Sequence, residues 1–253
     1  MPENVKPIIF SGPMVRAILE GRKTQTRRVL KPQIVCSTGI TPSFYWGKFS
    51  GVFPDDWFGH GNEIDGALPY LPGDILWVRE QWRIPAMDDF YSPSEVAAMS
   101  IDAGYASPWS AIEYCADGTR ANWTRDYGDP GRNRSSIHMP RWASRLTLEV
   151  TDVRIQRLQA ISEADAEAEG IEDCKSGGLA PLWRVYGPPP KPAFGMIGNL
   201  SNNRGQFATD ARDSFSTLWD SIYEARGDGW SSNPWVAALT FSVVRRNVDE
   251  VAS

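Results

Sequence analysis

The strongest constraint on the fold is an alternating stretch that begins at Arg145. Apolar and polar residues alternate from Arg145 to Val150, and residues 153–158 continue the pattern after a bend at Thr151-Asp152. A period of two is typical of a strand with one buried face. The continuous apolar run at 75–78 predicts a further strand, buried on both faces. Because buried strands need hydrogen-bonded neighbours, the chain is expected to build a sheet.

Other segments supply partners for these strands. Strands are expected near both termini, at 6–10 and 235–244. Helices are expected between them, at 13–20, 93–99, 162–169 and 215–222. Ser11 and Ser162 stand where helix caps are expected. The fold class predicted is α+β, a mixed β-barrel with flanking helices in a single domain over 1–253. Two large loop-like insertions are expected at about 85–140 and 175–209, where no period is sustained.

Composition excludes several classes of protein. The 253 residues carry a net charge of −5 and are 42% hydrophobic, which is ordinary for a soluble globular protein. No apolar stretch reaches the roughly 18 residues that a membrane helix needs, and the N-terminus lacks the pattern of a signal peptide. Three widely spaced cysteines favour neither a disulfide framework nor a zinc site. We therefore expect a cytoplasmic protein with no metal, no cofactor and no membrane partner.

The net charge is a sum over blocks of opposite sign. Residues 1–33 carry a net +5, residues 120–145 carry +4, and residues 149–174 carry −6. Basic blocks are usually solvated surface, but two of them can also converge into one phosphate-binding face. The acidic total therefore does not exclude nucleic acid as a partner, and both interpretations stay open.

The most informative motif is Gly21-Arg22-Lys23-Thr24-Gln25-Thr26, followed by two further arginines. It resembles the signature of the ASCH domain, a small β-barrel of the PUA-like group. A Gly-Asp turn at Gly73-Asp74 and the strands and helix over 146–170 resemble later parts of the same family. Together the matched blocks cover about half of the chain, and their order is similar to that in longer ASCH proteins commonly carried by phages. The two insertions have no counterpart in the minimal domain.

The resemblance implies a candidate activity. One ASCH group consists of amidohydrolases that remove the acetyl group from N4-acetylcytidine with a Lys, a Thr and a Glu. These roles fall on Lys23, Thr26 and Glu169. A threonine hydroxyl becomes a nucleophile when a base takes its proton, and a lysine of lowered pKa can be that base. Asp165, one helical turn before Glu169, and Glu80 are alternative site carboxylates.

The candidate site carries a geometric condition. In a regular strand, positions 23 and 26 point to opposite faces. Lys23 must therefore lie in the turn that leaves the first helix, or a bulge must redirect it, if the two side chains are to meet. Arg22, Arg27 and Arg28 crowd Lys23 with positive charge, which would lower the pKa of its amine.

Other functions remain open on the same residues. Arg22, Arg27 and Arg28 could bind phosphates, with Trp142 bordering the cleft, in a non-catalytic RNA-binding module or a ribonuclease. A phage assembly or host-interaction protein that kept the barrel and lost catalysis is a third candidate. The expected partner is a modified nucleoside or RNA in a bacterial host cell, and the sequence leaves the oligomeric state open.

Overall fold

The structure, a computed structural model, describes residues 4–31, 33, 68–174, 182–187, 207–208 and 210–251. The described residues form a mixed α+β fold, as predicted. Its strands are β1 Val5–Ile9, β2 Gln25–Val29, β3 Ile75–Arg79, β4 Trp82–Arg83, β5 Ile112–Tyr114, β6 Arg120–Ala121, β7 Thr147–Arg157, β8 Trp183–Arg184, β9 Phe207–Ala208 and β10 Trp235–Val244. Its helices are α1 Gly12–Leu19, α2 Pro93–Asp102, α3 Glu163–Ala168, α4 Ala211–Tyr223 and α5 Val248–Val251.

The chain divides into two compact units, each assembled from separate segments. The first unit comprises Met1–Gly21, Pro72–Thr151 and Phe241–Ser253, and the second comprises Arg22–Leu71 and Asp152–Thr240. Strands β7 and β10 each begin in one unit and end in the other. Along β7 the division falls between Thr151 and Asp152, where the sequence predicts a bend, although the strand is continuous.

The first unit is organised by the strand order β1-β3-β7-β10. Strand β1 runs parallel to β3, with Val5 opposite Ile75, and β3 runs antiparallel to β7. Helix α1 has a proline in its first turn and buries one apolar stripe, which includes Val15 and Ile18. Ser11 occupies the N-cap position, but its side chain makes no cap hydrogen bond. Gly21 follows the helix at φ +75°, the left-handed conformation that favours glycine after a helix.

The segment 85–140 also lies in the first unit and has more order than its sequence predicts. The expected helix is confirmed as α2, which extends to Asp102 and begins with a capping box between Ser92 and Glu95. Strands β4, β5 and β6 form a small antiparallel sheet. Trp82 of β4 is fully buried in a local core with Ile84 and Tyr114. Strands of two or three residues are too short to show a period, so the sequence could not reveal this sheet.

The second unit is organised by the order β7-β10-β2. Strand β2 runs antiparallel to β10, and Thr26 lies opposite Leu239. Helix α3 begins at the N-cap Ser162, whose side chain accepts a hydrogen bond from the backbone of Asp165. Helix α4 buries Phe215, Leu218 and Trp219 of the stripe that the sequence predicts, whereas the fourth member, Ile222, is 42% exposed. Helix α3 packs against both α4 and β2, which brings the end of the helix beside the motif at residues 21–26.

Four structural expectations are tested only in part, or not at all, by the described residues. Among the described residues, no strand pairing closes the sheet into a barrel, so the PUA-like barrel stays a prediction. Most of the second insertion, 175–209, lies outside the described residues, which include only 182–187 and 207–208 of it. No helix in the described part of the chain is long and apolar enough to cross a membrane. The single-domain boundaries likewise stay a prediction.

Candidate active site

The backbone around Lys23 is fixed by the end of helix α3. Lys23 precedes β2 and forms an isolated antiparallel bridge with Glu169, the residue that ends the helix. The backbone N–H of Thr24 donates to the carbonyl of Ala168 at 2.9 Å. Arg22 adds a side-chain contact, because its Nη1 donates to the carbonyl of Gly170 at 2.8 Å. The basic motif and the carboxylate are therefore held together by main-chain pairing.

Lys23 and Glu169 form a buried ion pair. The Lys23 Nζ lies 2.7 Å from Glu169 Oε2 and 2.8 Å from the carbonyl oxygen of the same residue. Lys23 is 2% exposed and Glu169 is 3% exposed. Both charges are removed from water, so each depends on the other for compensation. The structure thus brings together two of the three residues predicted to be catalytic.

Arg27 completes the pairing of Glu169. Its Nη1 donates to Glu169 Oε1 at 2.9 Å, and its Nη2 lies 3.2 Å from Asp165 Oδ2. The guanidinium lies over the ring of Phe215, 5.9 Å from the ring centre. Arg27 is 1% exposed, and its Nε has no hydrogen-bond partner among the described residues. Each carboxylate oxygen of Glu169 therefore faces a separate cation, which fixes the orientation of the carboxylate.

Asp165 forms the outer part of the same network. Its Oδ1 accepts hydrogen bonds from Gln25 Nε2 at 2.9 Å and from Arg154 Nη2 at 3.1 Å. Burial acts to raise the pKa of Asp165, but the hydrogen bonds from Arg154 and Gln25 and the charge of Arg27 outweigh it, so the pKa lies below its usual value. Asp165 is thus an ionised partner of two arginines, whereas Glu169 is the carboxylate that contacts Lys23.

Thr26 lies on β2 and is 2% exposed. Its hydroxyl oxygen accepts a hydrogen bond from Arg28 Nη1 at 3.2 Å. Residues 23, 25 and 27 all reach the carboxylates of 165 and 169, whereas the contact of Thr26 is with Arg28, which is the alternation expected of extended chain. Lys23 lies before the strand, as the predicted condition requires, but its amine contacts Glu169 whereas Thr26 contacts Arg28. The structure thus brings Lys23 to Glu169, and Thr26 has a different partner on the other side of the segment.

The ionisation of Lys23 departs from that of an ordinary lysine. Burial lowers the pKa of its amine below 10.5, more strongly than the adjacent Glu169 raises it. The charges of Arg28 and Arg27 lower it further, which is the direction expected from the sequence. A buried amine that loses its proton more readily than usual can accept a proton from a hydroxyl group.

The remaining predicted residues lie in other surroundings. Glu80, an alternative site carboxylate, belongs to the first unit, where Arg145 Nε and Nη2 bind its two oxygens at 2.8 and 2.9 Å. Trp142 also belongs to the first unit, with its ring edge-on to Trp82 at 6.2 Å between centres. Trp142 lines a cavity of about 400 Å³ together with Tyr114 and Arg145. The role assigned to each stays a prediction.

Sequence reasoning missed three participants, Gln25, Arg154 and Phe215. Gln25 lies two positions from both Lys23 and Arg27 in the sequence. A period of two would therefore have placed all three side chains on one face. Arg154 is a polar residue within the alternating strand β7, where only its spacing gives a signal. No metal site accompanies the network, since the described residues contain no cluster of three or more His, Cys, Asp or Glu side chains arranged to hold an ion.

Comparison with known proteins adds no relative. No protein-family model, no curated protein and no solved structure matches this chain. The functional argument therefore depends on the residues of the site.

Proposed function

We propose that this chain is an ASCH-type, PUA-like cytoplasmic hydrolase that cleaves an amide on a modified nucleoside such as N4-acetylcytidine. The observation that carries the proposal is the buried contact of 2.7 Å between Lys23 Nζ and Glu169 Oε2. The buried hydroxyl of Thr26 follows Lys23 by three residues in the sequence. A lysine with a lowered pKa, a carboxylate that orients it and a hydroxyl nucleophile are the groups that acyl transfer needs.

In the first step, the neutral amine of Lys23 takes the proton of the Thr26 hydroxyl as Thr26 Oγ1 attacks the acetyl carbonyl. In the structure Lys23 Nζ contacts Glu169 and Thr26 Oγ1 contacts Arg28, so this step requires the two side chains to reorient and come within hydrogen-bond reach in the substrate complex. The tetrahedral intermediate collapses, the C–N bond breaks, and Lys23 returns the proton to the leaving amine of cytidine. Thr26 is then an acetyl ester, which water hydrolyses to acetate with Lys23 again acting as the base.

Glu169 and two arginines support these steps. Glu169 orients the amine of Lys23, while Arg27 holds the second oxygen of Glu169 at 2.9 Å and so acts as a positioning residue. Arg28 Nη1, 3.2 Å from Thr26 Oγ1, offers positive charge beside the nucleophile. A fixed cation near the reacting oxygen stabilises negative charge that develops there.

Hydrolysis is favoured over simple RNA binding because two of the three arginines contact groups within the protein. Arg27 faces two carboxylates and is 1% exposed, and Arg22 donates to the carbonyls of Gly170 and Ile171. Phosphate binding by counterion release needs arginines whose charge faces solvent. An RNA-binding module or a ribonuclease would therefore have to depend mainly on Arg28 among the three.

The direct test is to incubate the purified protein with N4-acetylcytidine and follow its conversion to cytidine by chromatography. We expect Lys23→Met and Thr26→Val to lower kcat/KM by at least about 100-fold, because each removes a group that takes part in proton transfer or attack. Thr24→Val is the matched control, because it is the same substitution two positions away, at an exposed threonine. Glu169→Gln should also lower kcat/KM, because it removes the charge that orients the amine of Lys23, and the exposed Glu167→Gln is its matched control.

The trapped intermediate gives a second measurement. Rapid quenching and mass spectrometry should find one acetyl group on the peptide that contains Thr26, and none in Thr26→Val. Full activity in Lys23→Met or Thr26→Val would contradict the assigned roles. Absence of hydrolysis, combined with binding to single-stranded RNA that weakens steeply with salt, would replace the proposal with the RNA-binding function.

A further inference from the structure

The first unit contains an aromatic cavity that the proposed hydrolysis does not use. It has a volume of about 200 Å³ and lies between α2 and the segment 105–111. Its walls include one carboxylate, three tyrosines, a tryptophan and a methionine: Asp88, Tyr91, Met99, Tyr105, Trp109 and Tyr127. Among the residues that line it there is no lysine, arginine or histidine. The cavity is therefore aromatic and carries negative charge only.

The rings are held in place by one another and by α2. The rings of Tyr105 and Trp109 are stacked, 5.0 Å apart at an interplanar angle of 3°, and Tyr127 lies 6.3 Å from Trp109 at 51°. The backbone N–H of Trp109 donates to Ser100 Oγ at 2.9 Å, and that hydroxyl donates to the carbonyl of Ala97 within α2. Aromatic faces carry partial negative charge, so an ordered wall of rings attracts a cation.

Asp88 differs sharply from its neighbour in sequence. Asp89 pairs with Arg134 at 3.2 Å and with Arg132 at 3.5 Å. Asp88 has no ion pair among the described residues, although burial raises the pKa of its carboxyl. A carboxylate that lines a cavity without a cation of its own is the natural counter-ion for a cationic ligand.

We propose that this cavity binds a small organic cation, a quaternary or methylated ammonium group, with the charge against the rings of Tyr105, Trp109 and Tyr127 and with Asp88 as the counter-ion. Aromatic cavities closed by a carboxylate are suited to such groups, because a methylated ammonium ion has an apolar surface and a diffuse charge. A nucleotide fits the cavity poorly, because no basic side chain lines it to bind a phosphate.

The experiment is a titration of the whole protein, labelled with nitrogen-15, with tetramethylammonium and with choline, followed by NMR. The indole N–H signal of Trp109 is assigned by its loss in Trp109→Phe. We expect both cations to shift this signal with saturation in the millimolar range. We expect 3,3-dimethylbutanol, in which carbon replaces the choline nitrogen, to bind at least about tenfold more weakly, because it has the same shape without the charge.

Variants separate the charge from the shape of the cavity. Asp88→Asn keeps the size of the side chain and is expected to weaken tetramethylammonium binding about tenfold, whereas the exposed Asp102→Asn on α2 should have no effect. Trp109→Leu should abolish binding while leaving the thermal transition of the protein in place. Three results would overturn the proposal: no shift with either cation, equal binding of the neutral alcohol, or tighter binding of uridine monophosphate than of choline.

Discussion

Both units contain a buried ion network, but the two networks differ in the cation at their centre. In the first unit, Arg145 binds both oxygens of Glu80 and pairs with Asp117 at 2.9 Å. In the second unit, Lys23 and Arg27 share the carboxylate of Glu169. A guanidinium keeps its charge throughout the physiological pH range, whereas a buried ammonium can lose its proton. Of the two networks, only that of the second unit therefore contains a cation that can lose its proton.

The hydroxyl groups beside the two networks also differ, because one donates a hydrogen bond and the other accepts one. The guanidinium of Arg145 lies over the ring of Tyr114, 4.1 Å from the ring centre. The hydroxyl of Tyr114 donates to the carbonyl of Ala143 at 3.1 Å. Thr26 instead accepts a hydrogen bond from Arg28, which leaves its own proton available to a base. Under the proposed function, the second network is the reaction centre and the first has a structural role only. Four predictions test this difference.

The largest expected effect is on stability when a central carboxylate is removed. Glu169→Ala should lower the free energy of unfolding by about 3–5 kcal/mol, because the buried Lys23 would lose the carboxylate that pairs with it beside Arg27, even though Arg27 keeps Asp165. Glu80→Ala should cost less, about 1–3 kcal/mol, because Arg145 keeps its pairing with Asp117. Urea unfolding at neutral pH measures both.

The exposed Glu167 lies on the same helix as Glu169 and provides the control for this comparison. Glu167→Ala should change the free energy of unfolding by no more than about 0.5 kcal/mol. A loss in Glu80→Ala as large as that in Glu169→Ala would show that the two carboxylates compensate equivalent cations, and the distinction between the networks would fail.

The pH dependence of stability should separate the networks next. Burial lowers the pKa of Lys23 below 10.5 against the opposing effect of Glu169, so the unfolded chain binds this proton more tightly than the folded one. Stability should therefore rise with pH between the lowered value and 10.5. Burial raises the pKa of Glu80 above 4.5 against the hydrogen bond from Arg145, so stability should fall as pH rises from 4.5 to the raised value.

The measurement compares the stability of the wild type with that of two variants, each of which has a residue that does not titrate in place of Lys23 or Glu80. As pH rises toward 10.5, wild type should gain stability relative to Lys23→Met, with a slope of up to about 1.4 kcal/mol per pH unit. As pH rises above 4.5, wild type should lose stability relative to Glu80→Gln. A flat difference for Lys23→Met would mean that Lys23 titrates as an exposed lysine does.

The third comparison replaces each guanidinium with an ammonium. Arg27→Lys and Arg145→Lys should each lower the free energy of unfolding by about 2 kcal/mol, because one ammonium cannot reach two carboxylates as a guanidinium does. Under the proposed function, only Arg27→Lys should also lower kcat for N4-acetylcytidine, with KM unchanged, because Arg27 orients Glu169 and does not contact substrate. Equal effects of both variants on kcat would indicate a general loss of folded protein.

The regular elements were predictable because their signals are local. The strand at Ile75–Arg79 follows from a continuous apolar run, and the strand at Thr147–Arg157 and the helix at Gly12–Leu19 follow from periods of two and about four within single segments. The meeting of Lys23 with Glu169 came from the resemblance of the motif to a family, since the two residues are 146 positions apart. No local pattern determines contacts over such a separation.

The partners of the network were harder to predict for a physical reason. Arg27 is a charged residue within a basic run, and such residues are usually exposed, so the sequence favours a role on phosphate. Its burial depends on the carboxylates of Glu169 and Asp165, which only the packing of α3 against β2 delivers. The same holds for Arg145, whose charge in a basic block is compensated by Glu80 from a different strand end.

The smallest expected effect separates structure from chemistry most cleanly. Thr26→Val and Tyr114→Phe each remove one buried hydroxyl and keep the shape of the side chain, so each should cost about 1 kcal/mol of stability. Arg28 retains its hydrogen bond to the carbonyl of Arg27 when Thr26 is replaced, which limits the loss. If Thr26 is the nucleophile, hydrolysis of N4-acetylcytidine disappears in Thr26→Val and persists in Tyr114→Phe at matched stability. Retained hydrolysis in Thr26→Val would remove the threonine from the mechanism and leave Lys23 to activate water directly.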